Sequence, residues 1–306
     1  MATTSSRGGL PDTFLAWFFV IVWGTGFIAT KTGIQYAAPF TFLSLRFCLG
    51  IICLLPVLLW LRPRWPTTPA IWAHVVVAGL LMHAIHLSGS HYGQYEGLSA
   101  GVVAIILAAQ PLLTAMIAAA LLNEAPSVRQ WCGIFVGLAG VALVVWHKID
   151  IQAMNTKSLT ALLVALLALT IGTLYQRRFL SEADLWSAAF IQFIASLVVV
   201  APLAVIVEEA RVEWAWQLLA AVLFLVVFAS ILAVSALHVL MRRGQATRVA
   251  SILYLPPLFA VAAEWVIYGV VPTTPTFAGI TVVCFGTWLA SRHASADNKT
   301  PTESRP

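Results

Sequence analysis

Residues 100–140 read AGVVAIILAAQPLLTAMIAAALLNEAPSVRQWCGIFVGLAG, and residues 246–286 repeat their pattern as ATRVASILYLPPLFAVAAEWVIYGVVPTTPTFAGITVVCFG. The two stretches align without a gap, each position lying 146 residues (246 − 100) from its counterpart. Each copy is a long apolar run interrupted by proline, a turn, and a second apolar run with regularly placed glycines. An internal repeat of this length indicates two copies of one structural unit. Identical pairs at this offset include Pro111 and Pro257, Gly133 and Gly279, and Gly140 and Gly286.

The composition is typical of a membrane protein. Hydrophobic residues make up 60% of the 306 residues, charged residues only 9%, and the mean hydropathy is +0.91. A soluble domain of this size needs more charge on its surface. The net charge of +5 is therefore no sign of nucleic-acid binding. The partners that we expect are the lipid bilayer and a small-molecule substrate, and no nucleic acid.

The apolar runs predict ten transmembrane helices, because about 20 apolar residues cross ~30 Å of hydrocarbon. They fall into two repeats of five helices, 13–147 and 158–292, between flexible ends at 1–12 and 293–306. The four cysteines lie within apolar runs without a CxxC spacing, which predicts packing residues rather than a metal site or disulfide. The expected helices are 13–33, 40–61, 70–91, 99–122, 128–147, 158–177, 185–207, 214–240, 246–268 and 275–292.

The distribution of lysine and arginine predicts the orientation in the membrane. With a cytoplasmic N-terminus, the inner loops and ends carry about twelve of these residues and the outer loops about four. We therefore expect a multi-pass protein of the cytoplasmic (inner) membrane with both termini in the cytoplasm. Five helices per repeat, an odd number, predict that the second repeat enters the membrane inverted. The predicted fold is an all-α membrane protein of two inverted five-helix repeats, which is an architecture of secondary transporters.

Several motifs occur along the chain in a characteristic order. They are Trp23-Gly24-Thr25-Gly26-Phe27, Lys31, Pro39, Leu45-Arg46-Phe47, Gln110-Pro111-Leu112-Leu113-Thr114, Leu122-Asn123-Glu124, the glycines from Gly133 to Gly140, Pro256-Pro257 and the glycines from Gly279 to Gly286. This series resembles the EamA family of the drug/metabolite transporter superfamily. The resemblance implies ten helices and the movement of small metabolites, often outward, across the cytoplasmic membrane. Where that family often has an acidic residue at the end of the ninth helix, this chain has Val270, and Glu264 lies about two turns earlier.

Prolines in the middle of two predicted spans mark candidate walls of a substrate cavity. Proline removes a backbone donor and kinks a helix, and the freed carbonyl needs protein or a watery cavity nearby. Pro111, Pro256 and Pro257 are therefore predicted to line a cavity, a simple packing kink being the alternative. Gln110 and Tyr254 lie within one turn of these kinks, so they either bind substrate or form interhelical hydrogen bonds.

The third predicted helix carries a polar stripe. His83, His86, Ser90 and Gln94 are spaced by 3, 4 and 4 residues, which is one face of an α-helix. Such a stripe is expected to face the protein interior. His83 and His86 are predicted either to bind substrate or carry protons, or to form structural hydrogen bonds. The spacing does not predict a metal site, because no carboxylate accompanies the two histidines in the helix.

Three charged residues lie in or next to predicted spans. Arg46 is expected to contact an anionic group, or else to anchor onto the carbonyls that end the first helix. Lys31 is expected to extend its ammonium group to the membrane interface. Glu264 is expected near the outer mouth, where it gates the path, titrates, or simply reaches water.

The function predicted from these patterns is alternating-access transport of a small metabolite, an amino acid or a drug, in the direction of export. The alternative is a membrane channel or scaffold. A remote third candidate is an intramembrane serine hydrolase, because Gly97-Leu98-Ser99-Ala100-Gly101 spells G-x-S-x-G. That motif needs a strand-to-helix turn and a general base, so we expect no enzyme, no catalytic residue, no cofactor and no metal. The sequence leaves open the substrate, the coupling ion (the proton included) and the choice between monomer and homodimer.

Overall fold

The computed structural model describes residues 11–122, 127–149, 155–243 and 255–291. Within these ranges the regular elements are all helices, and one isolated β-bridge joins Ala37 and Val212. Two of the helices each contain a π-helical segment, one at Leu80–Ile85 and the other at Phe224–Ala233. The helices are α1 (Asp12–Gly33), α2 (Pro39–Leu61), α3 (Pro69–Tyr95), α4 (Ala100–Leu107), α5 (Gln110–Leu122), α6 (Val128–Ile149), α7 (Thr156–Phe179), α8 (Leu185–Glu208), α9 (Trp216–Arg242), α10 (Pro256–Tyr268) and α11 (Thr274–Ser291).

Six helices in the described part of the chain are long and apolar enough to cross a membrane, namely α1, α2, α3, α7, α8 and α9. Shorter apolar stretches fall within the other four predicted spans, at Ala100–Thr114, Val128–Leu143, Pro256–Tyr268 and Thr274–Gly286. Large apolar side chains point outward, among them Trp60 (85% exposed) and Val266 (81% exposed). Such a surface suits lipid rather than water. The all-α membrane fold is confirmed, and the count of ten spans stays a prediction.

The connections between helices gather at two ends of the bundle. At one end, the Arg243 guanidinium lies 2.6 Å from the Asp12 carboxylate, joining the ends of α9 and α1. At the other end, the α1–α2 and α8–α9 connections meet at the bridge between Ala37 and Val212. There too the Asn155 amide donates to the Glu96 carboxylate at 2.9 Å, and this bond holds the pKa of Glu96 below its usual range. Charged and polar contacts therefore tie the connections of the two repeats together at each end.

The main helix packings join the first repeat (α1–α6) to the second (α7–α11). Helix α1 packs on α9 and α10, α2 on α8, α3 on α7, and α6 on α11. At the offset of 146 residues, the packing of α1 on α10 corresponds to a packing of α7 on α5. This second packing is also present. Packings thus recur in pairs related by the sequence repeat, and the core lies between the two halves.

Glycine permits the closest of these packings, that of α6 on α11. A Cβ atom at Gly286 would lie 2.3 Å from the backbone nitrogen of Gly137, and one at Gly140 would lie 2.8 Å from the nitrogen of Val283. Both distances are shorter than any side chain tolerates, so the two backbones meet only because these positions carry no side chain. Gly140 and Gly286, which are equivalent in the two copies of the repeat, are therefore required by packing.

Candidate substrate-binding site

The two π-helical segments occupy equivalent positions of the two repeats. Residues 80–85 of α3 correspond to residues 226–231 at the offset of 146, and these lie inside the π segment of α9. π-Helical turns are rare and often occur at functional sites. His83 lies within the first segment, so the expectation of one regular α-helical face from His83 to Gln94 is wrong at its first position. His86, Ser90 and Gln94 follow in regular helix and are buried.

His83 lies in a polar and aromatic contact network between α3, α7 and α8. Its Nε2 atom donates to Oε1 of Gln192 at 3.2 Å, and Nε2 of Gln192 in turn donates to Oε1 of Gln176 at 3.5 Å. The His83 ring also lies edge-on to Phe193 at 5.1 Å and to Phe47 at 6.4 Å between centroids. This surrounding fixes the imidazole between one amide and two aromatic rings.

Arg46 contacts the other π-helical segment, that of α9. Its Nη2 atom donates to the hydroxyl of Ser230 at 3.2 Å, and that hydroxyl donates to the carbonyl of Leu225 at 2.9 Å. Arg46 corresponds to Gln192 at the offset of 146. In both halves, a polar residue of the second helix therefore binds a side chain on a π segment. No carboxylate among the described residues forms an ion pair with Arg46.

The fourth predicted span, 99–122, is interrupted next to Pro111, as the proline predicts. Helix α4 ends at Leu107 and α5 begins at Gln110, with Pro111 in its first turn. The Gln110 amide donates to the hydroxyls of Thr114 and Thr173, each at 3.3 Å. Gln110 thus faces α7, one turn from Gln176. It forms an interhelical hydrogen bond, which is the predicted alternative to substrate contact.

The corresponding point in the second repeat is the start of α10. Pro256 and Pro257 occupy the first positions of this helix and are buried. Tyr254, the other predicted hydrogen-bonding residue, lies outside the described residues. The roles of Pro111, Pro256 and Pro257 as cavity walls stay predictions.

His86 makes a contact of a different kind. Its Nδ1 atom lies 3.2 Å from the backbone carbonyl of Ala165 on α7. Because a carbonyl only accepts, His86 donates from Nδ1 in this contact. The hydrogen bond joins α3 to α7 and is a sufficient structural role for His86, whose part in substrate binding stays a prediction.

Glu264 is buried at the end of the bundle that carries Glu96, and the residue is only 3% exposed. Lys31 donates to its Oε1 at 2.6 Å, which corrects the expectation that the Lys31 ammonium extends to the membrane interface. The carboxylate also accepts the backbone N–H groups of Ala100 at 3.0 Å and Gly101 at 2.9 Å, at the first turn of α4. A single side chain thereby joins α1, α4 and α10.

One cleft in the described part of the chain lies away from these residues. It encloses about 410 Å³ between α3, α7 and α8, and its lining includes Ala84, Val164 and Val199. Val164 and Val199 are exposed residues on the outer face of the helices. The cleft is thus an apolar groove facing the lipid, and His83, Gln192 and Arg46 do not line it.

Comparison with known proteins identifies the family. Residues 13–146 and 156–292 match the sequence model of the EamA-like transporter family. The chain belongs to this family. It is 26% identical to the uncharacterized transporter YvbV of Bacillus subtilis over 94% of each chain. It is 23% identical to a probable amino-acid metabolite efflux pump of Salmonella typhimurium, over 91% of this chain and 94% of that one.

One solved crystal structure has the same fold, with a TM-score of 0.65 at 17% identity over 92% of this chain and 97% of that chain. Members of the EamA-like family are named as transporters, so the chain is a membrane transporter and not an enzyme. The G-x-S-x-G pentapeptide has an ordinary structural role. Ser99 caps α4 by accepting the backbone N–H of Val102 at 3.2 Å.

Sequence reasoning did not select Gln192 and Ser230, which hold His83 and Arg46. The signal for Gln192 was present, because the repeat aligns it with Arg46 and aligns Phe193 with Phe47. No comparable pattern marks Ser230, since a lone serine in an apolar run is common and the π segment that presents it leaves no period in the sequence.

Proposed function

We propose that this EamA-like protein is a secondary transporter that exports a small metabolite across the cytoplasmic membrane by alternating access. Its ten spans form two inverted repeats, and the substrate binds between them. The observation that carries the proposal is the paired arrangement of Arg46 with Ser230 and of Gln192 with His83. Arg46 and Gln192 are equivalent positions, and each binds the π segment of the opposite repeat, as expected of a carrier whose halves move about a common site.

The chemistry of this interface suits a small polar molecule with an apolar part. Arg46, His83 and Gln192 supply a positive charge, an imidazole and an amide, while Phe47 and Phe193 supply apolar surface. A relative in Salmonella is named as a probable amino-acid metabolite efflux pump. Amino acids and their metabolites are therefore the first substrates to test, followed by drugs.

The orientation that we propose places both termini in the cytoplasm. The excess of arginine and lysine in the loops of that side supports it. The connections at Arg64 and Arg243 then lie inside, and those at Glu96 and Glu209 lie outside.

The proposal is tested first by comparing metabolites in cells with and without the protein. A transported compound accumulates in the medium of cells that make the protein and is retained inside cells that lack the protein. The purified protein in liposomes loaded with that compound must then show saturable counterflow, which a channel does not. Uptake that rises linearly with concentration and shows no counterflow would overturn the carrier mechanism in favour of a channel.

A further inference from the structure

The Glu264 carboxylate is held in place before any ligand binds. Backbone N–H groups of Ala100 and Gly101 bind its two oxygens at 3.0 and 2.9 Å. A Cβ atom at Gly101 would lie 3.2 Å from Oε2 of Glu264 and 2.6 Å from Cγ2 of Val261, so α4 approaches the carboxylate closely. Donors at the first turn of a helix stabilise a negative charge there. The result is a fixed, buried carboxylate whose Oε1 accepts from one donor besides the backbone.

An aromatic ring completes the surroundings of this oxygen. The Lys31 ammonium that binds Oε1 at 2.6 Å also lies 4.7 Å from the centroid of the Tyr268 ring. The Tyr268 hydroxyl is 2.7 Å from the Thr32 hydroxyl, which holds the ring in position beside α1. A carboxylate next to the face of an aromatic ring is the combination that recognises ammonium groups.

We propose that Glu264 and Tyr268 form a binding subsite for a primary ammonium group, and that Lys31 occupies this subsite in the conformation seen here. Lys31 is a tethered ligand, since its charge sits on a flexible stem and its side chain is 23% exposed. The subsite is particular to one half of the protein, because position 118, which corresponds to Glu264, is alanine. On the further premise that the protein is the carrier proposed above, the ammonium group of an exported amine or amino acid displaces Lys31 on its way out.

The ligand class follows from the geometry. A primary ammonium donates a hydrogen bond to Oε1 and still presents its charge to the ring, as Lys31 does. A quaternary ammonium has no N–H to donate and is too large for the 2.6 Å approach. A sodium ion has no N–H to donate to Oε1.

Removal of the tethered ligand provides the test. The Lys31→Ala protein is purified in detergent, and its thermal unfolding is followed while methylammonium is added. We expect the midpoint to rise by about 2 °C or more at saturation, because a ligand of the folded state raises its stability. Wild-type protein, whose subsite is filled by Lys31, and Lys31→Met, whose thioether side chain fills the same space, are expected not to respond.

Two controls identify the groups that bind. The double variant Lys31→Ala/Glu264→Gln is expected not to respond to methylammonium, and Lys31→Ala is expected not to respond to tetramethylammonium or sodium. An unresponsive Lys31→Ala protein, or a double variant that responds equally, would overturn the proposal. If Lys31→Ala does not fold alone, recovery of monodisperse protein in methylammonium but not in tetramethylammonium supports the subsite, and equal loss in both refutes it. None of these measurements depends on transport. The proposed subsite and the proposed carrier function can therefore be refuted independently.

Discussion

The rings of Phe47 and Phe193 lie 5.7 Å apart between centroids and occupy equivalent positions of the two repeats. Each ring follows directly on the polar residue of its half, Arg46 before Phe47 and Gln192 before Phe193. Residues that correspond in a repeat and also touch each other mark the line about which the two halves are related. The candidate binding site lies on that line, and each half supplies one polar and one aromatic side chain.

This arrangement predicts that Arg46 and Gln192 both contribute to substrate affinity. Hydrogen bonds to charged groups contribute about 1.5–3 kcal/mol and neutral ones about 1 kcal/mol. Arg46→Gln should therefore raise KM for transport by about tenfold or more, and Gln192→Ala by about fivefold. The measurement is initial uptake into liposomes at equal protein content. Val198→Ala, on α8 but 67% exposed to lipid, is the control and should transport normally. Unchanged KM in both site variants would place the substrate elsewhere.

Much of the fold could be predicted from the sequence because lipid imposes simple rules. An apolar run of fixed length has to be a helix, so α2 at Pro39–Leu61 differs by a single residue from the predicted span 40–61. The proline at position 111 cannot continue the hydrogen bonding of a regular helix, so the break at 108–109 was also predictable.

The details of the site were less accessible for physical reasons. A π turn inserts one residue into the helical register through tertiary contacts, and no residue type in Leu80–Ile85 requires it. The pairing of Lys31 with Glu264 joins residues 233 positions apart, so no local pattern reports it. The repeat was the remaining source of information, and it reports only contacts that both halves share.

The prolines are predicted to matter for transport rather than for folding. Pro111→Ala and Pro257→Ala should each lower the transport rate more than they lower expression, because they straighten one wall of the proposed cavity. Both prolines lie in the first turn of their helices, where alanine is tolerated as well as proline, so the helices themselves are not weakened. Uptake per mole of purified protein separates the two effects. Parental rates in both variants would show that the cavity does not depend on these kinks.

The packing of α6 on α11 is predicted to tolerate no side chain at Gly286. Gly286→Val places a Cβ atom 2.3 Å from the Gly137 nitrogen, so the helices must separate. We expect a loss of about 1–3 kcal/mol in stability, seen as a lower midpoint of thermal unfolding in detergent. Ala278→Val, on an exposed position of α11, adds similar volume and should leave the midpoint unchanged. An unchanged midpoint for Gly286→Val would mean that this packing is wrong.

The proposed orientation predicts the labelling of single cysteines. In a background without Cys48, Cys53, Cys132 and Cys284, a cysteine replacing Glu209 should react with a membrane-impermeant reagent in intact cells. Glu209 is exposed beside Arg211 in the α8–α9 connection, which lies outside in the proposed orientation. A cysteine replacing Arg178 should react only after the cells are opened. Strong labelling at 178 in intact cells would reverse the orientation.

The last prediction separates the two histidines, because the structure gives them different partners. His83 binds the Gln192 side chain between two aromatic rings, whereas His86 binds the Ala165 backbone. Glutamine keeps a polar group of similar size and removes the imidazole ring, which is a common proton shuttle in proteins. We expect His83→Gln to raise KM or to abolish the pH dependence of uptake, while His86→Gln mainly lowers thermal stability. A raised KM identifies His83 as a substrate contact, and a lost pH dependence with normal KM identifies it as a proton carrier. Normal affinity and a normal pH profile in His83→Gln would show that this histidine only packs against Phe47 and Phe193.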